Sequence, residues 1–263
     1  MSRQLLLIGI GAGDPRQITL EAVNALNRTD VFFILDKGAD KDELRHLREA
    51  FCQQHISSER QWRMVTLADP PRPPVPYGED QHATYRDVVN AWHRERVTAL
   101  AEAITRELSP GQTGAFLVWG DPMLYDSTIR LVHKIQAALD GGLDYTVIPG
   151  ISSVQMLCAA HKIPLNRIGE SVMITTGRQL MQQVERDATA PHVDTLVMLD
   201  GKSVFQYVQR TDLTIYWGAN LGTPAECVMS GLLHEISPAL LECRAQLRQQ
   251  VGWVMDAYLL VYH

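Results

Sequence analysis

The 263 residues carry 24 Lys and Arg against 30 Asp and Glu, and a net charge of -6 argues against a general nucleic-acid binder with a basic face. With 46% apolar residues the chain can bury a full core, which argues against disorder, and its length suits one large or two modest α/β domains. Cys52, Cys158, Cys227 and Cys243 show no C-x-x-C spacing and no regular framework, so they read as reduced packing thiols, with no metal site among them.

The chain passes from Met1-Ser2-Arg3 straight into an apolar strand over 5–10. That run is too short for a signal peptide, and no apolar stretch approaches the roughly 20 residues that span a bilayer. The expectation is a soluble, cytoplasmic protein. The strand ends on Gly9-Ile10-Gly11-Ala12-Gly13-Asp14-Pro15. A helix over 19–27, a strand over 31–35, a helix over 42–55 and a strand over 63–66 follow. Next comes Asp69-Pro70-Pro71-Arg72-Pro73-Pro74-Val75-Pro76-Tyr77-Gly78, whose five prolines exclude a helix and a central strand. It reads as a loop that forms a wall or lid. A long helix over 84–108 leads to a strand over 115–119 that ends on Gly120-Asp121-Pro122. A helix over 127–139 then leads to a strand over 145–148 that ends on Pro149-Gly150-Ile151-Ser152-Ser153.

This alternation predicts a parallel sheet covered on both faces. After a break at 163–169, strands near 171–175, 195–199, 213–217, 226–230 and 253–262 are interleaved with helices near 179–187, 204–209 and 238–251. The fold class is therefore α/β, with two α/β domains, 1–165 and 166–263. Three strand ends closed by glycine offer bare backbone at the edge of the sheet where open α/β folds bind small molecules.

Gly9-Ile10-Gly11-Ala12-Gly13, with Asp36 at the end of the next strand, invites a dinucleotide-binding reading. Two details count against it. The third fingerprint glycine would fall at Asp14, and Pro15 delays the helix, so the tight turn onto a helix N-terminus is not evident. A purely structural turn is the other alternative.

Taken together, Gly9–Pro15, Gly120-Asp121-Pro122, Pro149-Gly150-Ile151-Ser152-Ser153, Leu165-Asn166-Arg167 and Ile174-Thr175-Thr176-Gly177-Arg178 resemble the tetrapyrrole methyltransferases of the cobalamin and sirohaem pathways. The resemblance spans essentially the whole chain. Within that family, Val31-Phe32-Phe33-Ile34-Leu35-Asp36-Lys37-Gly38 and the segment Tyr85…Trp92-His93-Arg94…Arg96 are similar to the member that methylates C-1 of precorrin-5 and releases acetate. The resemblance implies a homodimer of two-domain chains, with S-adenosylmethionine in the cleft between the domains and a tetrapyrrole as substrate. It implies cofactor contacts at Pro15, Gly120, Asp121, Met123, Ser152, Ser153, Leu199, Asp200, Gly218 and Ala219. Gly11 and Gly13 then lie on the substrate side.

Methyl transfer from a sulfonium needs positioning more than a dedicated nucleophile, and orientation alone can recover on the order of 7–11 kcal/mol. Asp121 either favours the cationic sulfonium or caps the following helix. Acetate loss needs an acid or base, for which His93, Asp36, Asp121, Tyr125 and Tyr85 are candidates. A substrate with many carboxylates calls for cations. Lys37, Arg72, Arg86, Arg94, Arg96 and Arg178 are available, with Lys37 and Arg178 beside strand ends. Another corrin-ring methyltransferase and a nicotinamide-dependent reductase remain the alternative activities.

Overall fold

The computed structural model describes residues 2–36, 42–71 and 81–262. Lys37 and Arg72, together with most of the proline-rich stretch, lie outside the described residues. The chain divides into two compact units, Met1–Gly11 with Pro15–Ile151, and Ala12–Asp14 with Ser152–His263.

In the first unit β1 (Arg3–Gly9), β2 (Val31–Asp36), β3 (Arg63–Ala68), β4 (Thr113–Val118) and β5 (Leu143–Ile148) form one parallel sheet in the order β3-β2-β4-β1-β5. Its connections contain α1 (Leu20–Asn27), α2 (Asp42–His55), α3 (Gln81–Glu107) and α4 (Thr128–Ala138). Alternate side chains of β1 sort to opposite faces because a strand has period two. Leu5 and Leu7 join a core with Leu100 and Ile104 of α3 and Leu131, Val132 and Ile135 of α4. Leu6 and Ile8 join another with Ala22 and Leu26 of α1 and Phe51 and Cys52 of α2. A strand buried on both faces reads as a continuous apolar run, and Leu5-Leu6-Leu7-Ile8 is such a run. These elements fall where the alternation of apolar segments predicts them.

The second unit holds α5 (Ser153–His161), β6 (Val172–Thr176), α6 (Gly177–Arg186), β7 (Asp194–Met198), β8 (Leu213–Ala219), β9 (Cys227–Leu232), α7 (Leu233–Val251) and β10 (Asp256–Tyr262). Its sheet runs β6-β7-β10-β8-β9. Only β6 and β7 are parallel; β10 lies between β7 and β8 and is antiparallel to both, and β8 and β9 are antiparallel. The C-terminal strand is thus central, and its Tyr258 is packed edge-on to Phe205 in the core with Trp217.

Three features depart from the sequence reading. The expected boundary after 165 gives way to a division after Ile151, because α5 packs on β8, β9 and β10. α7 starts at Leu233 and carries Pro238 inside it, although proline was expected to open the helix. Leu233, Leu240 and Leu247 are all buried and seven apart, and that apolar face outweighs the one missing backbone donor. The helix expected over 204–209 is a short 3₁₀ turn, Val204–Tyr207. Among the described residues, no helix is long and apolar enough to cross a membrane.

Candidate functional site

The C-terminal ends of β1, β4 and β5 meet backbone to backbone. Beyond β1, the Ile10 amide donates to Val118 at 2.9 Å, and Gly11 and Gly120 pair reciprocally at 3.2 and 2.8 Å. Gly9 and Gly150 touch so closely that a Cβ on Gly9 would stand 2.6 Å from the Gly150 nitrogen. A Cβ on Gly150 would stand 2.1 Å from the Gly120 carbonyl oxygen. Gly9 and Gly150 are therefore required by this junction, against the Gly120 carbonyl, at the sheet edge where α/β folds take ligands.

Asp121 locks this junction. Its Oδ1 accepts from the Met123 amide at 2.8 Å and its Oδ2 from the Gly150 amide at 3.0 Å. The carboxylate thus ties the β4 loop to the β5 loop, and it does not cap α4, as one sequence reading had it. The residue next to that helix start is Asp126, whose Oδ1 accepts from Thr128 at 2.6 Å. Beyond the tie the loop turns outward: Met123 is 81% exposed, and Tyr125 is 42% exposed with a left-handed φ of 53°. A non-glycine residue held in that region at a ligand edge is a recognised mark of a working loop. Burial raises the Tyr125 phenol above its ordinary value, so at neutral pH it is an O–H donor.

Pro15 opens a 3₁₀ turn, Pro15–Gln17, and α1 begins only at Leu20 with Thr19 capping Ala22 at 3.1 Å. The short strand-to-helix turn of a dinucleotide site is absent here, and the reductase reading loses its structural basis. Gly13 belongs to the second unit, where a Cβ would come 2.7 Å from Thr223 Cγ2.

Also in the second unit, Ser152 caps α5. Its Oγ accepts from Val154 at 3.2 Å, and Gln155 returns Oε1 to the Ser152 amide at 3.0 Å. Ser153 is the first helical residue. Ser152→Ala is expected to lower stability by about 1 kcal/mol. Urea unfolding should show an earlier midpoint with an unchanged slope.

Leu199, 65% exposed with φ 54°, stands at the end of β7, next to buried Asp200. The Asp200 carboxylate accepts from Lys202 N at 3.1 Å, Val204 N at 2.6 Å and Tyr258 Oη at 2.6 Å. Gly177 is needed against it, since a Cβ there would fall 2.5 Å from Asp200 Oδ1 and 2.7 Å from its Cα. Gly218 is closely covered by Leu157 and Leu221, and it pairs with Ala257 while Ala219 pairs with Asp256. Arg178 is half-buried at the start of α6.

His93 is buried on α3 beside the Trp92 ring, whereas Arg94 is exposed. Asp36 ends β2, and nothing is described of its side chain or of Tyr85 and Arg86 on α3. Arg96 is engaged elsewhere: it pairs with Asp69 at 2.8 Å, both side chains being almost fully buried, and its guanidinium lies 4.4 Å over Trp92. Trp92 Nε1 in turn donates to the Pro70 carbonyl at 2.7 Å. Burial lowers the Arg96 pKa while Asp69 opposes the shift. This cluster fastens the start of the proline-rich segment to α3. Sequence reading counted Arg96 among the cations free for substrate, and it had no signal for Asp69 as the partner.

Residues 4–237 match the family described as Tetrapyrrole (Corrin/Porphyrin) Methylases. The chain is 45% identical over 259 residues to a precorrin-6A synthase [deacetylating] of Sinorhizobium sp, covering 98% of this chain and 95% of that protein. It superposes on the crystal structure of a cobalamin synthesis related protein (CobF) from Corynebacterium diphtheriae with a TM-score of 0.80 at 37% identity, covering 100% and 99% of the two chains. The same fold, at a TM-score of 0.52 and 18% identity over 98% and 97% of the chains, occurs in a uroporphyrin-III C-methyl transferase from Thermus thermophilus solved with S-adenosyl homocysteine. Three glycine-closed strand ends gathered at one junction, on a chain matched almost end to end, lead to one statement: this protein belongs to the tetrapyrrole (corrin/porphyrin) methylases.

Proposed function

We propose that this chain methylates C-1 of precorrin-5 and releases the ring-junction acetyl group as acetate, giving precorrin-6A, with S-adenosylmethionine as methyl donor. The observation that carries this reading is the 45% identity, over 98% of the chain, to a precorrin-6A synthase [deacetylating]. A precorrin-2 C(20)-methyltransferase of Sinorhizobium sp, another corrin-ring methyltransferase, is 25% identical over 70% of the chain. A cytoplasmic homodimer is part of the proposal, and sedimentation of the purified protein tests the dimer.

The residues suit the donor. In the first unit, Gly120 (φ 68°) brings bare backbone to the β4 loop, Asp121 places a negative charge there, and Met123 offers an exposed apolar side chain. We assign Pro15, Gly120, Asp121 and Met123 to donor binding in that unit, and Ser152, Ser153, Leu199, Asp200, Gly218 and Ala219 in the second. S-adenosylmethionine, when bound, supplies a methyl already activated on a sulfonium. What remains for the chain is to orient the two reactants and to exclude water.

Gly11, Gly13, Lys37, Arg94 and Arg178 are assigned to the macrocycle side. For acetate loss, Tyr125 is the foremost proton donor, because it is exposed on the β4 loop and remains protonated at neutral pH. His93, Asp36 and Asp121 rank behind it: His93 is buried against Trp92, and Asp121 already holds two amides.

Incubation with precorrin-5 and labelled S-adenosylmethionine, followed by product mass, is the test. One methyl gained with acetate released supports the proposal. Methylation without carbon loss moves the chain to another corrin-ring methyltransferase, and calorimetry without donor binding dismisses the reading. Tyr125→Phe is expected to lower kcat roughly 100-fold or more for acetate release, with KM little changed.

A further inference from the structure

We infer that Cys227 and Cys243 are a reversible redox pair, which closes to a disulfide on exposure to a small-molecule disulfide and reopens under a dithiol reductant. The two thiols belong to different elements of the second unit: Cys227 opens β9, opposite Ala219 of β8, and Cys243 lies within α7. Their sulfurs are 2.9 Å apart, and both are free thiols. A disulfide needs about 2.05 Å between sulfurs. The remaining approach is under an ångström.

Both cysteines are half-buried at the margin of the core that contains Leu233, Leu240 and Trp217. They are not sealed from a small oxidant. Burial and the neighbouring sulfur push the Cys243 thiol up to about 12, so it is held as the thiol at neutral pH. Cys52 provides the contrast within the same chain: it is fully buried in the first unit.

With oxidised glutathione the chemistry balances. One protein thiol, as its thiolate, attacks a sulfur of the glutathione disulfide, forming a mixed disulfide and releasing one glutathione thiolate. The second protein thiol gives up its proton and attacks the protein sulfur of that mixed disulfide, releasing the second glutathione. Two protein thiols are oxidised, one glutathione disulfide is reduced to two thiols, and the protons pass to the departing thiolates. The bond would fasten the start of β9, just past the turn that follows Ala219, to α7.

The experiment uses the full chain in oxidised glutathione, followed by an acid quench, denaturation and alkylation with a maleimide. Four alkylated thiols before oxidation are expected to become two, with one peptide pair joined through Cys227 and Cys243 and full recovery in dithiothreitol. The oxidised protein is expected to melt on the order of 5 °C higher than the reduced one. Cys243→Ser should abolish the joined pair and leave glutathione on Cys227, and Cys227→Ala provides a second variant should the first not fold. Four thiols surviving a large excess of oxidant, a stable glutathione adduct on the wild type, or a bond involving Cys52 or Cys158 would each overturn the inference.

Discussion

Gly150→Ala is expected to destabilise the protein by about 3 kcal/mol. The added Cβ would sit 2.1 Å from the Gly120 carbonyl oxygen, 2.8 Å from the Gly9 carbonyl carbon and 2.9 Å from the Gly9 Cα. All three obstacles are main-chain atoms of neighbouring strand ends, so no rotamer change makes room. Relief requires β5 to move away from β1 and β4, and that movement would also stretch the 3.0 Å hydrogen bond from the Gly150 amide to Asp121. Gly141→Ala is the matched control. Gly141 has a φ of 76° but nothing within 4 Å of its would-be Cβ, so only the left-handed backbone is penalised, at roughly 1–2 kcal/mol. Urea denaturation of the two variants separates close approach from backbone strain. Equal loss in both would mean that the three strand ends are not pressed together as described. In donor binding the contrast should be sharper, with Gly150→Ala abolishing affinity for S-adenosyl homocysteine and Gly141→Ala leaving it unchanged.

The first unit was readily legible in the sequence because a parallel strand buried on both faces leaves an uninterrupted apolar run, and glycine must punctuate any place where two backbones touch. Leu5-Leu6-Leu7-Ile8 and the three glycine turns carry both signals in plain form. α5 was missed for an equally specific reason. Ser152 and Ser153 were read as ligand hydroxyls, although Ser152 followed by Gln155 is a capping-box spacing that announces a helix start. That helix moves the division between the units to Ile151. The place of β10 at the centre of the second sheet had no local signal, because strand order is set by pairing between segments far apart in the chain. Long-range pairs were equally silent: neither the Asp69–Arg96 ion pair nor the contact between Gly177 and Asp200 follows from spacing along the chain.

Asp200 is where a direct ligand contact and a supporting role can be told apart. The resemblance places it among the donor contacts, yet its carboxylate already accepts from two backbone amides and from the fully buried Tyr258 hydroxyl. Arg244 joins the same assembly, donating to the Asp200 carbonyl at 3.2 Å and to Asp256 at 2.9 Å, while Trp217 Nε1 reaches Asp256 at 3.1 Å. Burial and Asp200 hold the Tyr258 phenol well above its ordinary pKa, so it stays a donor throughout the working range. Removing the carboxylate leaves two buried donors unsatisfied, the Val204 amide and the Tyr258 hydroxyl, and Asp200→Ala is expected to cost about 3 kcal/mol. Tyr258→Phe should cost about 1 kcal/mol, and the double variant roughly 1 kcal/mol less than the sum, because the hydroxyl stranded by the first change is absent. Exact additivity would deny that the two groups are coupled. Asp200→Asn keeps one acceptor oxygen and should remain folded. If the carboxylate serves the loop that presents Leu199, affinity for S-adenosyl homocysteine by calorimetry falls no more than about threefold, a difference of under 1 kcal/mol. A fall of about a hundredfold at unchanged stability would instead make Asp200 a ligand of the donor itself.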